Sequence, residues 1–237
     1  MLSLLKILLF SKALSIRVNS LPQQSSCSGI HVFGARETFA PDGFGAAGDI
    51  VNLILEAHPS ATSEAIDYPA AGGDFNAYSV RRGAQAVATQ VSDYANRCPE
   101  TKLVLVGYSQ GAHIIDDAMC EGGDTYMGIS NITAPIPIAV GSHVKAMIWM
   151  GSPRHTPGAP YNVGTSNAPG FDPRLTGQIC APYTNIIQSY CDDADPYCSD
   201  GDNETLHMNY GQTYGLAALQ FVNNQLSQKT RERHSLL

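Results

Sequence analysis

The stretch LVLVGYSQGAHIIDDAM, residues 103–119, passes from an apolar, β-branched run into Gly-Tyr-Ser-Gln-Gly and then into a segment with helical spacing. The run before the turn suits a strand buried on both faces, as in a parallel sheet. Turning from such a strand directly into a helix forces the central residue into a strained backbone conformation and leaves its near neighbours no space for a side chain. Gly107 and Gly111 supply that space. The G-x-S-x-G pattern is a nucleophile elbow, which holds a serine hydroxyl at the carboxyl end of the sheet, beside the free N–H groups that open a helix. Ser109 is therefore the candidate nucleophile.

The flanking sequence supplies the rest of such a sheet. IHVFGAR (30–36) reads as a first strand, followed by a Gly-rich loop and a helix over 49–57, and EAIDYPA (64–70) reads as a second strand. Val80, Ala84, Val87, Val91 and Tyr94, spaced by three or four, predict an amphipathic helix over 79–96. VKAMIWMGSP (144–153) and NIIQSYC (185–191) are two further strands, and YGLAALQFVNNQL (214–226) is a closing helix. Strands alternating with helices imply an α/β fold, a three-layer α/β/α sandwich around a central parallel sheet of about five strands. No internal repeat is visible.

At 237 residues, 43% hydrophobic and 15% charged, the chain can build one sizeable core, and a single catalytic domain over 21–226 is expected. A net charge of −7 argues against nucleic acid or an anionic membrane as partner, since both need clustered Lys and Arg. The six cysteines show no paired CxxC spacing of a structural zinc site, so disulfides and export are favoured, with an extracellular location. A monomer without metal or cofactor is expected. Residues 1–20, MLSLLKILLFSKALSIRVNS, read as a signal or leader segment with a small-x-small site at 13–15, although Lys6, Lys12 and Arg17 depart from the usual pattern and leave a misassigned start as the alternative. Residues 227–237, SQKTRERHSLL, read as a polar tail. Sequons stand at Asn131 and Asn203, and a glycan on Asn203 would crowd the rim of a site at His207.

A serine hydroxyl needs a neutral imidazole beside it, itself oriented by a carboxylate. Among the seven histidines, His207 has the best position, in a loop after the last strand and before the final helix, as the Ser…Asp/Glu…His order of this fold requires. His155, after a strand end, is the runner-up. His31, His58 and His143 read as structural, His113 as a helix-face residue, and His234 lies in the tail. CDDADPYC (191–198) offers Asp192, Asp193 and Asp195 as the acid inside a small disulfide loop, and spacing does not choose among them.

These motifs resemble the cutinase and acetylxylan esterase group, carbohydrate esterase family five, and look closest to the acetylxylan esterases. The likeness spans roughly residues 26–226 and rests on CSGIHVFGARET, CPETKLVLVGYSQGA, SYCDDADPYC and HMNYGQTYGLAALQFV. It implies a cutinase-like α/β-hydrolase fold, with Ser109 as nucleophile, Asp195 as acid and His207 as base. It also implies an oxyanion hole from the N–H groups of Gln110 and Thr38. The pairings Cys27–Cys98 and Cys191–Cys198 follow from the family pattern, which leaves Cys120–Cys180. The resemblance further implies an extra cysteine pair near PAAGGDFNA in some relatives, absent here. His113 and Asp116 depart from the small or apolar residues expected on the elbow helix and read as neutral surface changes.

The implied activity is a secreted serine esterase acting on short acyl groups, deacetylating xylan, because SDGDNETL before His207 and the GGDFNAY loop are polar where a long aliphatic chain would need apolar lips. Tyr197 is a candidate for stacking on a sugar ring. The alternatives are a cutinase or broad lipolytic esterase, and, from another class, an inactive secreted binding protein on the same scaffold.

Overall fold

The computed structural model describes residues 27–178 and 180–228. The leader segment, His234 and all but the first two residues of the polar tail lie outside the described residues. Six strands carry the fold: β1 (Ile30–Ala35), β2 (Thr62–Ala65), β3 (Lys102–Tyr108), β4 (Val144–Met150), β5 (Asn162–Val163) and β6 (Ile187–Tyr190). Six helices accompany them: α1 (Gly48–Ala57), α2 (Asn76–Arg97), α3 (Gln110–Met119), α4 (Ile138–Gly141), α5 (Glu204–His207) and α6 (Tyr210–Ser227).

The sheet runs in the order β2-β1-β3-β4-β6-β5, and every neighbouring pair is parallel. Alternation along the strands divides the core in two, because successive side chains point to opposite faces. Phe33, Leu103, Leu105, Met147 and Trp149 pack with α2 and α3 residues such as Val87, Val91, Ile114 and Ile115. Val32, Val104, Val106, Ile148 and Met150 pack with Ile50, Val51 and Ile54 of α1 and Ala218 and Val222 of α6. The result is the expected three-layer sandwich, with one strand beyond the five expected. That strand, β5, has only two residues, too few for any periodicity to show.

Two other boundaries differ from the sequence expectation. β2 ends at Ala65, opposite Gly34, because its partner β1 runs out at Ala35; beyond it the guanidinium of Arg36 takes the carbonyls of Ile66 and Tyr68. The approach to β6 coils as a 3-10 helix over Ala181–Ile186, leaving only Ile187–Tyr190 in the sheet. Three disulfides staple the loops: Cys27–Cys98 before β1, Cys120–Cys180 at the end of α3, and Cys191–Cys198 beyond β6. Such bridges typically contribute about 2–4 kcal/mol each by restricting the unfolded chain.

Candidate active site

Ser109 sits where β3 becomes α3, with φ +50° and ψ −119°, a conformation an L-residue adopts only when its surroundings enforce it. They do so here. The Ser109 N–H donates to the Met150 carbonyl at 2.8 Å, and the Ser109 carbonyl accepts from Ala112 and His113, opening the helix. A Cβ on Gly107 would lie 2.5 Å from the Ala112 Cα, and one on Gly111 would lie 2.6 Å from the Arg36 carbonyl oxygen. Both glycines are therefore fixed by close backbone approach. Gln110 is the first residue of α3, so its N–H has no carbonyl one turn back within the helix to bind.

His207 does not lie in an open loop but ends the short helix α5, capped by Asn203, whose Oδ1 accepts the Leu206 N–H at 3.0 Å. Its Nδ1 meets Asp195 Oδ2 at 2.6 Å. Asp195 is fully buried, and its other oxygen accepts the N–H groups of Tyr197 at 2.7 Å and Cys198 at 2.9 Å. Burial opposes the charge, but the bond to His207 and these two N–H groups outweigh it and hold the carboxyl below its ordinary range. Asp192 is differently employed: its Oδ1 accepts from Thr165 N–H and the Tyr214 hydroxyl. The chain turns at Gly151 with φ +58°, where a Cβ would come within 2.7 Å of the imidazole. The ring of Tyr197 lies 4.5 Å from that imidazole, centroid to centroid.

One link was not legible in the sequence. Tyr108, the residue before Ser109, is fully buried and donates its hydroxyl to the His207 carbonyl at 2.6 Å while accepting the Tyr210 N–H at 3.1 Å. Burial pushes its ionisation far above the ordinary tyrosine range, so the phenol stays neutral and keeps its proton to donate.

Thr38 lies on the opposite side, in a segment held by two strained residues. Phe39, at φ +64°, donates its N–H to the carbonyl of Ala70, itself at φ +50°, over 2.7 Å. Arg36 reaches from the end of β1 to the carbonyls of Ala40 at 3.0 Å and Tyr68 at 2.5 Å, and the Tyr68 hydroxyl returns a bond to the Arg36 carbonyl at 2.6 Å. The neighbouring peptide also fixes Gln110: its Nε2 donates to the Ala71 carbonyl at 2.9 Å and to Asn76 at 2.6 Å, while Ser79 donates to its Oε1 at 2.8 Å.

Ser109, Gln110, Thr38 and His207 all line one cavity of about 420 Å³. Its walls are more apolar than the loop sequences suggested, since Phe39, Phe171, Tyr197 and Met208 join Pro153 around it, the first four exposed at its mouth. The remaining histidines lie elsewhere or point to other work. His31 stacks on Tyr94, His58 bonds Asn223, and His155 is buried with both ring nitrogens unpartnered. Burial lowers the pKa of His155.

The family profile described as cutinase matches residues 26–226. The chain belongs to the cutinase family. It is a carboxylic ester hydrolase. Over 207 residues it is 51% identical to an acetylxylan esterase of Hypocrea jecorina, covering 85% of this chain and 68% of that one. It is 50% identical over 213 residues to Cutinase 11 of Verticillium dahliae, covering 87% and 72%. Its fold superposes on the catalytic core domain of acetyl xylan esterase from Trichoderma reesei with a TM-score of 0.82 at 50% identity, covering 84% of this chain and all of that one.

In this cutinase-family chain the elbow helix corrects one expectation. His113 and Asp116 are not surface residues; all ten residues of α3 are buried. Asp116 pairs with Arg174, which also donates to the Glu121 carbonyl. His113 Nε2 meets Asp124 Oδ2 at 2.6 Å, with Asp117 at 3.3 Å and Asp172 at 3.4 Å, and Arg154 lies 3.4 Å from both Asp117 and Asp124. His113, Asp117 and Asp124 are close enough to share a metal ion. Yet the His113–Asp124 contact is that of a hydrogen-bonded pair, and the Arg154 guanidinium already supplies a cation to both carboxylates. Burial works against the charge on His113, but Asp117 and Asp124 outweigh it and the opposing Arg154, raising its pKa to about 9.

Proposed function

We propose that this chain is a secreted serine esterase that removes short acyl groups, acetyl foremost, from xylan, acting as a monomer with a single catalytic domain over residues 21–226. Ser109 attacks the ester carbonyl while His207 takes its proton, and Asp195 holds the imidazole in the right tautomer. The oxyanion that forms is met by the N–H groups of Gln110 and Thr38, each worth about 3 kcal/mol in the transition state by the usual cost of losing such a donor. His207 then protonates the leaving sugar hydroxyl, and water repeats the sequence on the acyl-enzyme.

The observation that carries this reading is the joint lining of one cavity by Ser109, His207 and both proposed donors, with Asp195 bonded to the far nitrogen of the imidazole. The choice of acetylated xylan leans on the acetylxylan esterase similarity and on the polar Asn76 and Glu204 that share the cavity with the aromatic rings. Export is supported by the three disulfides, and no described helix is long and apolar enough to cross a membrane. The Ser109→Ala variant is expected to lose acetate release from acetylated xylan and labelling by a serine-directed phosphonate; a purified variant with the wild-type rate refutes the assignment.

A second reading, a cutinase, is favoured by one observation: Phe39, Phe171 and Met208 stand exposed at the mouth of the cavity, where an aliphatic chain would bind. Hydrolysis of a cutin-like polyester measured beside acetylated xylan separates the two. Faster turnover as the acyl chain lengthens from acetate overturns the first reading in favour of the second.

A further inference from the structure

The charged cluster around His113 lies directly behind one wall of the cavity. His113 itself lines the cavity, and so do Pro153 and Phe171. Each of these last two has a cluster member as its neighbour in sequence, Arg154 and Asp172, and the Asp172 N–H donates to the Pro153 carbonyl at 3.0 Å. Arg154 also donates to the carbonyls of Gly123 at 3.0 Å and Asp172 at 3.4 Å. The Phe171 N–H donates to the Tyr197 carbonyl at 2.9 Å, joining this wall to the loop that carries Asp195.

We propose, on the esterase reading above, that His113 is a positioning residue for substrate selection: held among Asp117, Asp124 and Asp172, it fixes the Pro153–Phe171 wall and so sets which acyl group fits beside Ser109. Two of the three carboxylates are tied to firm structure. Asp117 belongs to α3, and Asp124 accepts the Met127 N–H at 3.1 Å on the loop that follows α3, closed by the backbone pairing of Asp124 with Ile129. Asp172 and Arg154 instead sit on the long excursion between β4 and β6, whose regular strand content is the two residues of β5. Without the imidazolium, Arg154 is the one cation left facing Asp117, Asp124 and Asp172, and the nearby Arg174 is engaged by Asp116. Repulsion in a buried site is then relieved where the chain yields most, at the wall.

Titration supplies the test. His113 is charged below about 9, and burial raises the pKa of Asp172 to about 7, against the pull of His113 and Arg154. Burial also raises the pKa of Asp117. Proton loss from Asp172 and His113 therefore falls between roughly pH 7 and 10, and the wall loosens as pH rises. The readout is the ratio of kcat/KM for p-nitrophenyl acetate to that for p-nitrophenyl butyrate, taken from pH 6 to 10 on the wild type and on His113→Gln. Titration of the catalytic machinery acts on both esters alike and cancels in the ratio. The expected result is a wild-type ratio that is constant near pH 6 and moves at least about threefold by pH 10, with a His113→Gln ratio already displaced at pH 6 and flat thereafter. A wild-type ratio that stays constant throughout, or a His113→Gln protein that keeps the wild-type ratio at pH 6, overturns the inference while leaving the esterase reading intact. Should His113→Gln not fold, the wild-type series decides alone. Failure of the wild type to hydrolyse either ester overturns the esterase reading and this inference together.

Discussion

Tyr108→Phe removes one oxygen and nothing else from a fully buried site that connects the elbow to the segment carrying His207. Phenylalanine fills the same space, so no cavity penalty arises. What disappears is the bond to the His207 carbonyl at 2.6 Å and the bond from the Tyr210 N–H at 3.1 Å. A buried polar group stripped of its partner costs about 1–3 kcal/mol, so the two together cost roughly 2–6 kcal/mol. In a chain of this size each kcal/mol moves Tm by about 2–4 °C, so a loss near the middle of that range, about 4 kcal/mol, lowers Tm by roughly 8–16 °C. The carbonyl freed belongs to His207, so the imidazole loses one of the contacts that fix its direction. That loss acts on proton transfer more than on ester binding, and kcat is expected to fall about tenfold with KM little changed. Thermal unfolding by circular dichroism and steady-state hydrolysis of p-nitrophenyl acetate measure both effects. A Tm within about 2 °C of wild type, together with kcat within about twofold, refutes the claim that this hydroxyl ties the Ser109 elbow to the His207 segment.

Asp195→Asn is expected to cut kcat by about three to four orders of magnitude with the fold retained, because the amide can donate to Nδ1 and favour the wrong imidazole tautomer; circular dichroism with ester kinetics checks it. Arg36→Met leaves the carbonyls of Ala40, Ile66 and Tyr68 without their donor. The Thr38 segment then loses its frame, and acetate-ester kcat is expected to fall by roughly 10–100-fold, with slower phosphonate labelling of Ser109. His31 is held neutral by burial, with Arg97 adding to the effect, and its pKa is lowered to about 4. The unfolded chain therefore binds the extra proton between about pH 6.5 and 4, and the stability present at neutral pH declines as pH falls through that window, by on the order of 3 kcal/mol. Urea unfolding at pH 7.5 and 4.5 reads this against His31→Phe, which keeps a ring on Tyr94 and is expected to show a shallower loss; equal slopes count against it.

Positions whose conformation is set by local backbone were the ones the sequence could reveal. The Ser109 turn announces itself through two glycines held by close backbone approach, and the central strands through short apolar, β-branched runs. Asp195 was not separable from Asp192 and Asp193 by spacing, because what distinguishes it is a pair of N–H groups and an imidazole that only the closed loop brings together. His113 and Asp116 misled for a related reason. A helix buried on every side has no polar face, so its charged residues can be satisfied only by partners at positions 124, 154, 172 and 174, far apart in the chain. The expectation for β2 failed because its length is set by where the neighbouring β1 ends, a tertiary effect invisible to propensity.

Both margins of the sheet are stubs, four residues in β2 at one side and two in β5 at the other. An open strand margin invites a second molecule to continue the ladder, and short ones give it little to grip. Copies of this chain can therefore reach high local density without zipping into fibres.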